Sequence, residues 1–221
     1  MFTGIIEAVG SLQKVEPRSG DLRLTINSGR LDLSDVKLGD SIATNGVCLT
    51  VVELTGQGYV ADVSLETLEY STLSGLAVGS ALNLEKALTP STRLGGHLVS
   101  GHVDGVGKIV SIEPSGRSTV YWVEAPVNLA RYIAHKGSIT VDGVSLTVNK
   151  VDGCRFALNI VPHTQQETII TGYRAGTEIN LEVDVLARYL ERLTDPSLRE
   201  ESPSAPASLT AGFLAEHGFM K

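Results

Sequence analysis

Residues 97 positions apart in this chain repeat one another across nearly its whole first half. Gly4 matches Gly101, Ser41 matches Ser138, Gly46 matches Gly143, Thr67 matches Thr164 and Gly79 matches Gly176. The offset holds through loops as well as apolar runs, as in GDSIATNGVCLTV against KGSITVDGVSLTV and VGSALNLE against AGTEINLE. A period this long requires two copies of one domain rather than a solenoid of short units. The informative positions are those where the copies differ: Cys48 against Ser145, Asn45 against Asp142, Ile5 against His102, Glu66 against His163. Two similar pockets with unequal polar groups can bind two similar molecules and treat them differently.

Composition narrows the setting. The 221 residues are enough for two domains, and the 42% hydrophobic content lets each bury a modest core. A formal charge of −7 with no basic run argues against a nucleic-acid partner. No stretch approaches the ~20 apolar residues of a membrane span, and MFTGIIEAVG lacks the features of a signal peptide. No membrane association is expected, and the location expected is cytoplasmic. Cys48 and Cys154 do not occupy matching positions of the repeat, so no disulfide is expected.

Each copy reads as short strands rich in Val, Ile, Leu and Thr, separated by clusters such as TGQG, VDG and PSG. Six or so strands per copy favour a closed antiparallel barrel, because closure removes exposed edges. The fold class expected is all-β: two tandem six-stranded antiparallel β-barrels, over residues 1–97 and 98–183, plus a C-terminal α-helix. LDLSDVKLGD and LARYIAHKG are each long enough for one short helix between strands. Val183, Leu186, Leu190 and Leu193 then alternate at spacings of three and four, the seam of an amphipathic helix over 184–193. Residues 194–221 read as a Pro-rich linker and a tail, LTAGFLAEHGF, that forms a final short helix or docks.

The densest chemistry sits where the copies join, in GGHLVSGHVDG. Its glycines argue against a helix and let a ligand or another backbone come close. Without a third convergent ligand, His97 and His102 do not predict a metal site. His102, expected to open the first strand of the second barrel, is the better site candidate. In NGVCLTV and DGVSLTV, strand alternation puts Cys48 and Thr50 on one face, and Ser145 and Thr147 likewise, while Val47, Leu49 and Val51 point the other way. A polar face beside a tight turn suggests a lined pocket. Cys48 as a small buried apolar residue, and Asp142 as a turn cap, are the structural alternatives.

The opening MFTGI, the segments NGVCLTV and DGVSLTV and the junction GGHLVSGHVDG, in this order and spacing, resemble the riboflavin synthase family of the two-barrel trimeric type, over about residues 1 to 193. The resemblance implies a dismutation of two molecules of 6,7-dimethyl-8-ribityllumazine, one giving a four-carbon unit to the other, with no metal or redox cofactor. It places a first pocket at Gly4, Ile5, Ile6, Cys48, Leu49, Thr50, Asp62, Val63, Ser64, Leu65, Glu66 and Thr67. A second pocket falls at Gly101, His102, Val103, Ser145, Leu146, Thr147, Asn159, Ile160, Val161, Pro162, His163 and Thr164. Lys136 resembles a lysine that reaches the ligand of a neighbouring subunit, and Ser41 and Phe2 match further residues near the site. The implied assembly is a homotrimer with each active site between subunits, held by the leucine seam, and with a possible association with lumazine synthase.

The C7 methyl of the lumazine is acidic, so a modest base within hydrogen-bond reach suffices, and His102 leads. Water or the Cys48 thiol is the nucleophile, with Ser145, Thr147 and Thr50 orienting ring atoms and protons and Ser41 close by. Holding two heterocycles face to face supplies much of the rate through orientation. Two other readings compete: a non-catalytic lumazine- or flavin-binding protein, and a flavin-dependent electron-transfer barrel. The second lacks a nicotinamide-binding fingerprint, since GVGK at Gly105 to Lys108 is too short for a phosphate loop.

Overall fold

The structure is a computed structural model that describes residues 1–198 and 211–218. The first copy supplies β1 (Ala8–Arg18), β2 (Asp21–Asn27), β3 (Ser41–Thr44), β4 (Val47–Thr55), β5 (Gly58–Val63), helix α1 (Leu65–Tyr70) and β6 (Ala81–Lys86). The second supplies β7 (Gly105–Ser115), β8 (Ser118–Glu124), β9 (Ser138–Val141), β10 (Val144–Asp152), β11 (Arg155–Ile160), helix α2 (Pro162–Glu167) and β12 (Glu178–Val183). Each set closes into a six-stranded antiparallel barrel, in the order β1-β2-β5-β4-β3-β6 and its counterpart β7-β8-β11-β10-β9-β12. The repeat extends to the irregularities. Register breaks between Leu12 and Lys14 and between Val51 and Glu53 recur between Ile109 and Ser111 and between Val148 and Lys150. Such bulges bend a strand where a small barrel must turn a corner.

Both barrels belong to one compact unit, Met1–Ala187, and Arg188–Lys221 form a second. Helix α3 (Val185–Thr194) takes the place of the expected leucine-seam helix, with Leu186, Leu190 and Leu193 all more than half exposed. Of the expected linker and tail, Pro196–Leu198 form a 3₁₀ turn and Ala211–Glu216 a short helix, α4. Residues 199–210 and 219–221 lie outside the described residues. No helix among the described residues is long and apolar enough to cross a membrane.

Three local expectations need correction. LDLSDVKLGD contains no helix: the Asp32 carboxylate accepts from Ser34 N–H at 2.9 Å and the Asp40 carboxylate from Lys37 N–H at 2.8 Å. Aspartates used this way draw the backbone into turns. LARYIAHKG contributes only to a 3₁₀ segment, Val127–Tyr132. His102 precedes β7 rather than opening it, as Ile5 precedes β1. The helices α1 and α2 were unforeseen, although Ser64 caps the first through its hydroxyl and Pro162 stands in the first turn of the second.

The barrels meet at the matching turns of β3–β4 and β9–β10. Asn45 and Gly46 (φ 47° and 79°) and Asp142 and Gly143 (φ 42° and 84°) all adopt left-handed backbone, the geometry of a two-residue hairpin turn. A Cβ on Gly46 would lie 2.6 Å from the Gly143 nitrogen, and one on Gly143 would lie 2.9 Å from the Gly46 nitrogen. Around this approach, Asn45 Oδ1 accepts from Asn83 N–H at 2.8 Å and Asp142 Oδ1 from Asn180 N–H at 2.7 Å. The Asn83 side chain donates to the Asp142 carbonyl at 2.9 Å, and that of Asn180 to the Asn45 carbonyl at 2.8 Å.

Each barrel has its own apolar core, that of the first including Leu12, Ile26, Ile42, Leu49, Leu82 and Leu84. Here the copies differ by pairs rather than single residues. In barrel one the buried Tyr59 hydroxyl lies 2.7 Å from Thr44 Oγ1; the matching residues of barrel two are Phe156 and Val141. Exchanging both partners of a hydrogen bond for apolar groups is nearly neutral, whereas removing one strands the other. Thr44→Val alone should therefore cost about 1–3 kcal/mol, and Thr44→Val with Tyr59→Phe much less. Urea unfolding of the four proteins in this cycle tests it, and simple additivity of the two single losses would contradict it.

Candidate functional site

A cavity of about 250 Å³ opens on the outer face of β4. Barrel one contributes Cys48, Glu66, Thr67 and Tyr70. The opposite wall comes from the segment before β7: Gly101, His102 and Val103. The pocket is thus built by both barrels, which corrects the grouping expected from sequence. Cys48 N–H donates to the Gly101 carbonyl at 2.8 Å, and a Cβ on Gly101 would lie 2.7 Å from the Cβ of Cys48. Val103 packs against the core of barrel one.

The second site crosses in the opposite sense. Ser145 N–H donates to the Gly4 carbonyl at 2.7 Å, and a Cβ on Gly4 would lie 2.5 Å from the Cβ of Ser145. Ile6 packs against the core of barrel two. Gly4, Ile5 and Ile6 therefore belong with Ser145, while Gly101, His102 and Val103 belong with Cys48. The cause is the extended N-terminal segment, which pairs through Phe2 with Val99 at the junction and so sends each leading segment onto the other barrel.

Two buried carboxylates hold these segments. Glu85 accepts from Thr3 N–H at 2.7 Å, Thr3 Oγ1 at 2.6 Å and Gly4 N–H at 2.9 Å. Its counterpart Glu182 accepts from Ser100 N–H at 2.6 Å, Ser100 Oγ at 2.7 Å and Gly101 N–H at 2.9 Å. His97 supports one site only. Its Nδ1 lies 2.7 Å from Ser145 Oγ and its Nε2 3.2 Å from Thr140 Oγ1, whereas the first barrel has Cys48 and Ala43 at those positions. Burial, opposed by Asp184, lowers the His97 pKa and favours its neutral form. A neutral imidazole can orient the Ser145 hydroxyl by accepting from it or donating to it.

The other expected site residues have the following surroundings. Leu49, Val63 and Ile160 are buried core residues, and Leu146 packs on the core of barrel two. The Asp62 carboxylate is engaged by Arg23 at 2.6 and 2.7 Å, and this pair holds its pKa below the usual range. Ser64 caps α1, and Phe2, fully buried, packs with Val99 and Ala43 behind Cys48. Ser41 pairs with Thr50 across β3 and β4 at the half-buried start of β3. Thr50, Thr147, Leu65, Asn159, Val161, His163 and Lys136 are exposed, and Ile5 is half exposed. Among the described residues, no three His, Cys, Asp or Glu side chains gather as they would around a metal ion.

The sequence pattern of the lumazine binding domain matches residues 3–87 and again residues 100–184. The chain is 50% identical over 220 residues to the riboflavin synthase of Photobacterium phosphoreum, covering all of both chains. It is 39% identical over 219 residues to that of Bacillus subtilis (strain 168), covering 99% of this chain and 100% of the relative. The chain belongs to the riboflavin synthase family. Among solved structures, LumP complexed with riboflavin has the same fold at a TM-score of 0.77 and 24% identity, over 83% of this chain and 99% of LumP. This chain thus shares its duplicated-barrel fold with LumP, and its own matching positions carry unequal chemistry.

Glu85, Glu182 and Tyr70 were not foreseen as part of the site. A glutamate at the same place in both LNLE and INLE, inside otherwise apolar strands, is the signal that could have marked the first two. Desolvation raises the pKa of both glutamates despite their donors. Burial also pushes Asp142 up to about 7, against the hydrogen bonds of Tyr173 and Asn180. In the unfolded chain Asp142 loses its proton near 4, while the folded protein keeps it until about 7. The folded state therefore binds more protons in that window, and its stability should fall as pH rises from about 4 to about 7 and level off above. The two glutamates add a slope of the same sign above their ordinary range. Asp142→Asn, which copies Asn45, should flatten the profile above pH 5 in urea unfolding; an unchanged profile would contradict this.

Proposed function

We propose that the chain is a riboflavin synthase that converts two molecules of 6,7-dimethyl-8-ribityllumazine to riboflavin and 5-amino-6-(D-ribitylamino)uracil by four-carbon transfer. The observation that carries the reading is the pair of crossed contacts, alike in backbone but unlike in chemistry: a thiol with His102 beside a cavity in one, a hydroxyl held by His97 in the other. Each of residues 1–97 and 98–183 is read as one lumazine-binding barrel. His102 lies in the first pocket beside Cys48 and takes a proton from the acidic C7 methyl of the lumazine bound there. A nucleophile added at C7 of the second lumazine leaves a C6=N5 bond to which the carbanion adds, the electron pair passing to N5 and taking a proton; the nucleophile departs again as the four carbons are transferred and the stripped ring leaves as the uracil. Ser145, oriented by His97, directs that nucleophile, and orientation of the two rings supplies much of the rate.

In this reading the two lumazines meet across subunits of a homotrimer. The exposed Leu186, Tyr189, Leu190 and Leu193 of α3 support self-association, since such a row is costly to leave in water. Lys136 supports a site shared between subunits. It has a φ of 65° where the first copy has Gly39, so a long cation is kept at a backbone angle that glycine adopts freely. The reading also includes a cytoplasmic location, in keeping with two free cysteines, and lumazine synthase, source of the substrate, as a partner.

Incubating the purified chain with the lumazine alone should produce riboflavin absorbance without any added cofactor. His102→Gln should slow turnover by about 10²-fold while riboflavin still binds. No riboflavin from the unaltered chain would refute the reading, and a fully active His102→Gln would remove His102 from the chemistry. Sedimentation equilibrium should give the mass of a trimer for the full chain and a smaller species when Leu186, Leu190 and Leu193 are all changed to Ser. A monomeric unaltered chain with full turnover would refute the shared site.

A further inference from the structure

Asn83 and Asn180 are matching residues of the repeat, at most 1% exposed, and each bonds to the other barrel where that barrel's pocket begins. Asn180 stands on β12 of barrel two, yet both groups of its side chain serve barrel one. Its Nδ2 donates to the Asn45 carbonyl at 2.8 Å, and its Oδ1 accepts from Thr72 N–H at 2.7 Å. Thr72 opens the 3₁₀ turn Thr72–Gly75 that follows α1, immediately after Tyr70 and Ser71 of the first pocket. Ser71 Oγ then donates to the carbonyl of Thr67, which also lines that pocket, at 2.5 Å. Asn83, on β6 of barrel one, mirrors this. Its Nδ2 donates to the Asp142 carbonyl at 2.9 Å and its Oδ1 accepts from Ile169 N–H at 2.9 Å. Ile169 follows Thr168, whose hydroxyl donates to the Thr164 carbonyl at 2.6 Å in α2.

We infer that Asn83 and Asn180 are positioning residues that act crosswise: Asn180 sets the pocket helix of barrel one, and Asn83 that of barrel two. The inference rests on the reading of both pockets as lumazine sites. A short helix of six residues has little stability of its own, so the placement of its end depends on what the next N–H groups bond to. Remove the amide oxygen and the part-buried Thr72 or Ile169 N–H loses its partner, so the turn and the helix before it shift to find one. Asn180 does not line the first pocket. The effect of the two asparagines passes through Thr67 and Tyr70, or through Thr164.

Riboflavin titration followed by methyl NMR resolves the pockets, with Val103 reporting the first and Ile5 and Ile6 the second. Asn180→Ala, which removes both side-chain bonds, should weaken riboflavin binding at the first pocket by about three- to tenfold and leave the second unchanged. Asn83→Ala should do the reverse. Losses at the pocket of the substituted barrel, or equal losses at both, overturn the inference. The unaltered protein provides a test independent of folding: filling the first pocket should move the side-chain amide signal of Asn180 and not that of Asn83. A moving Val103 signal with a fixed Asn180 signal would overturn the inference alone. An unaltered protein in which neither Val103 nor the isoleucines respond to riboflavin or the lumazine would instead refute the reading of the pockets.

Discussion

The turns Asn45–Gly46 and Asp142–Gly143 lie backbone against backbone, close enough that a single Cβ on either glycine would collide with the opposite peptide. Left-handed angles at all four residues make the approach sterically accessible. It would leave buried peptide groups without water, and the amides of Asn83 and Asn180 bond to the carbonyls of the opposite turn. The interface is therefore polar, directional and specific in register. Apolar cores stabilise each barrel separately, and these bonds join the turn of one barrel to the turn of the other.

The pocket walls cross the same interface. Because the N-terminal segment lies on β10 and the junction lies on β4, each pocket borrows one wall from the other barrel. Glu85 and Glu182 hold those walls from within the barrel that owns them, through three donors each. The copies then diverged in linked groups: Tyr59 with Thr44 against Phe156 with Val141, Asn45 with Leu76 against Asp142 with Tyr173, and Cys48 with Ala43 against Ser145, Thr140 and His97. Linked change is what buried polar groups demand, since an acceptor without its donor is costly. The backbone is symmetric while only one of the two sites carries a hydroxyl network.

The duplication and the two barrels were legible in the sequence because a shared offset and strand alternation both survive in print. Cys48 and Thr50 facing outward, with Val47, Leu49 and Val51 inward, follow from period two alone. The crossing of the walls was not legible. It depends on Phe2 pairing with Val99, a contact between residues far apart in sequence with no local signature. Grouping Gly4 with Cys48 and Gly101 with Ser145 assumed that each copy closes its own site. The helices α1 and α2 were hidden by their brevity, and the role of His97 by the absence of any matching residue in the other copy. Asp32 and Asp40 show the converse, where a stretch of helical length is drawn into turns by side chains that bond the backbone.

The most direct test of this account is a crystal structure of the protein with 6,7-dimethyl-8-ribityllumazine bound. The account predicts one ring between Cys48 and Thr67 on one side and Gly101 to Val103 on the other, and a second ring between Ser145 and Thr164 and the segment Gly4 to Ile6. A ring that touches Cys48 together with Gly4 to Ile6 of the same chain, or one that sits inside a barrel lumen, would contradict it.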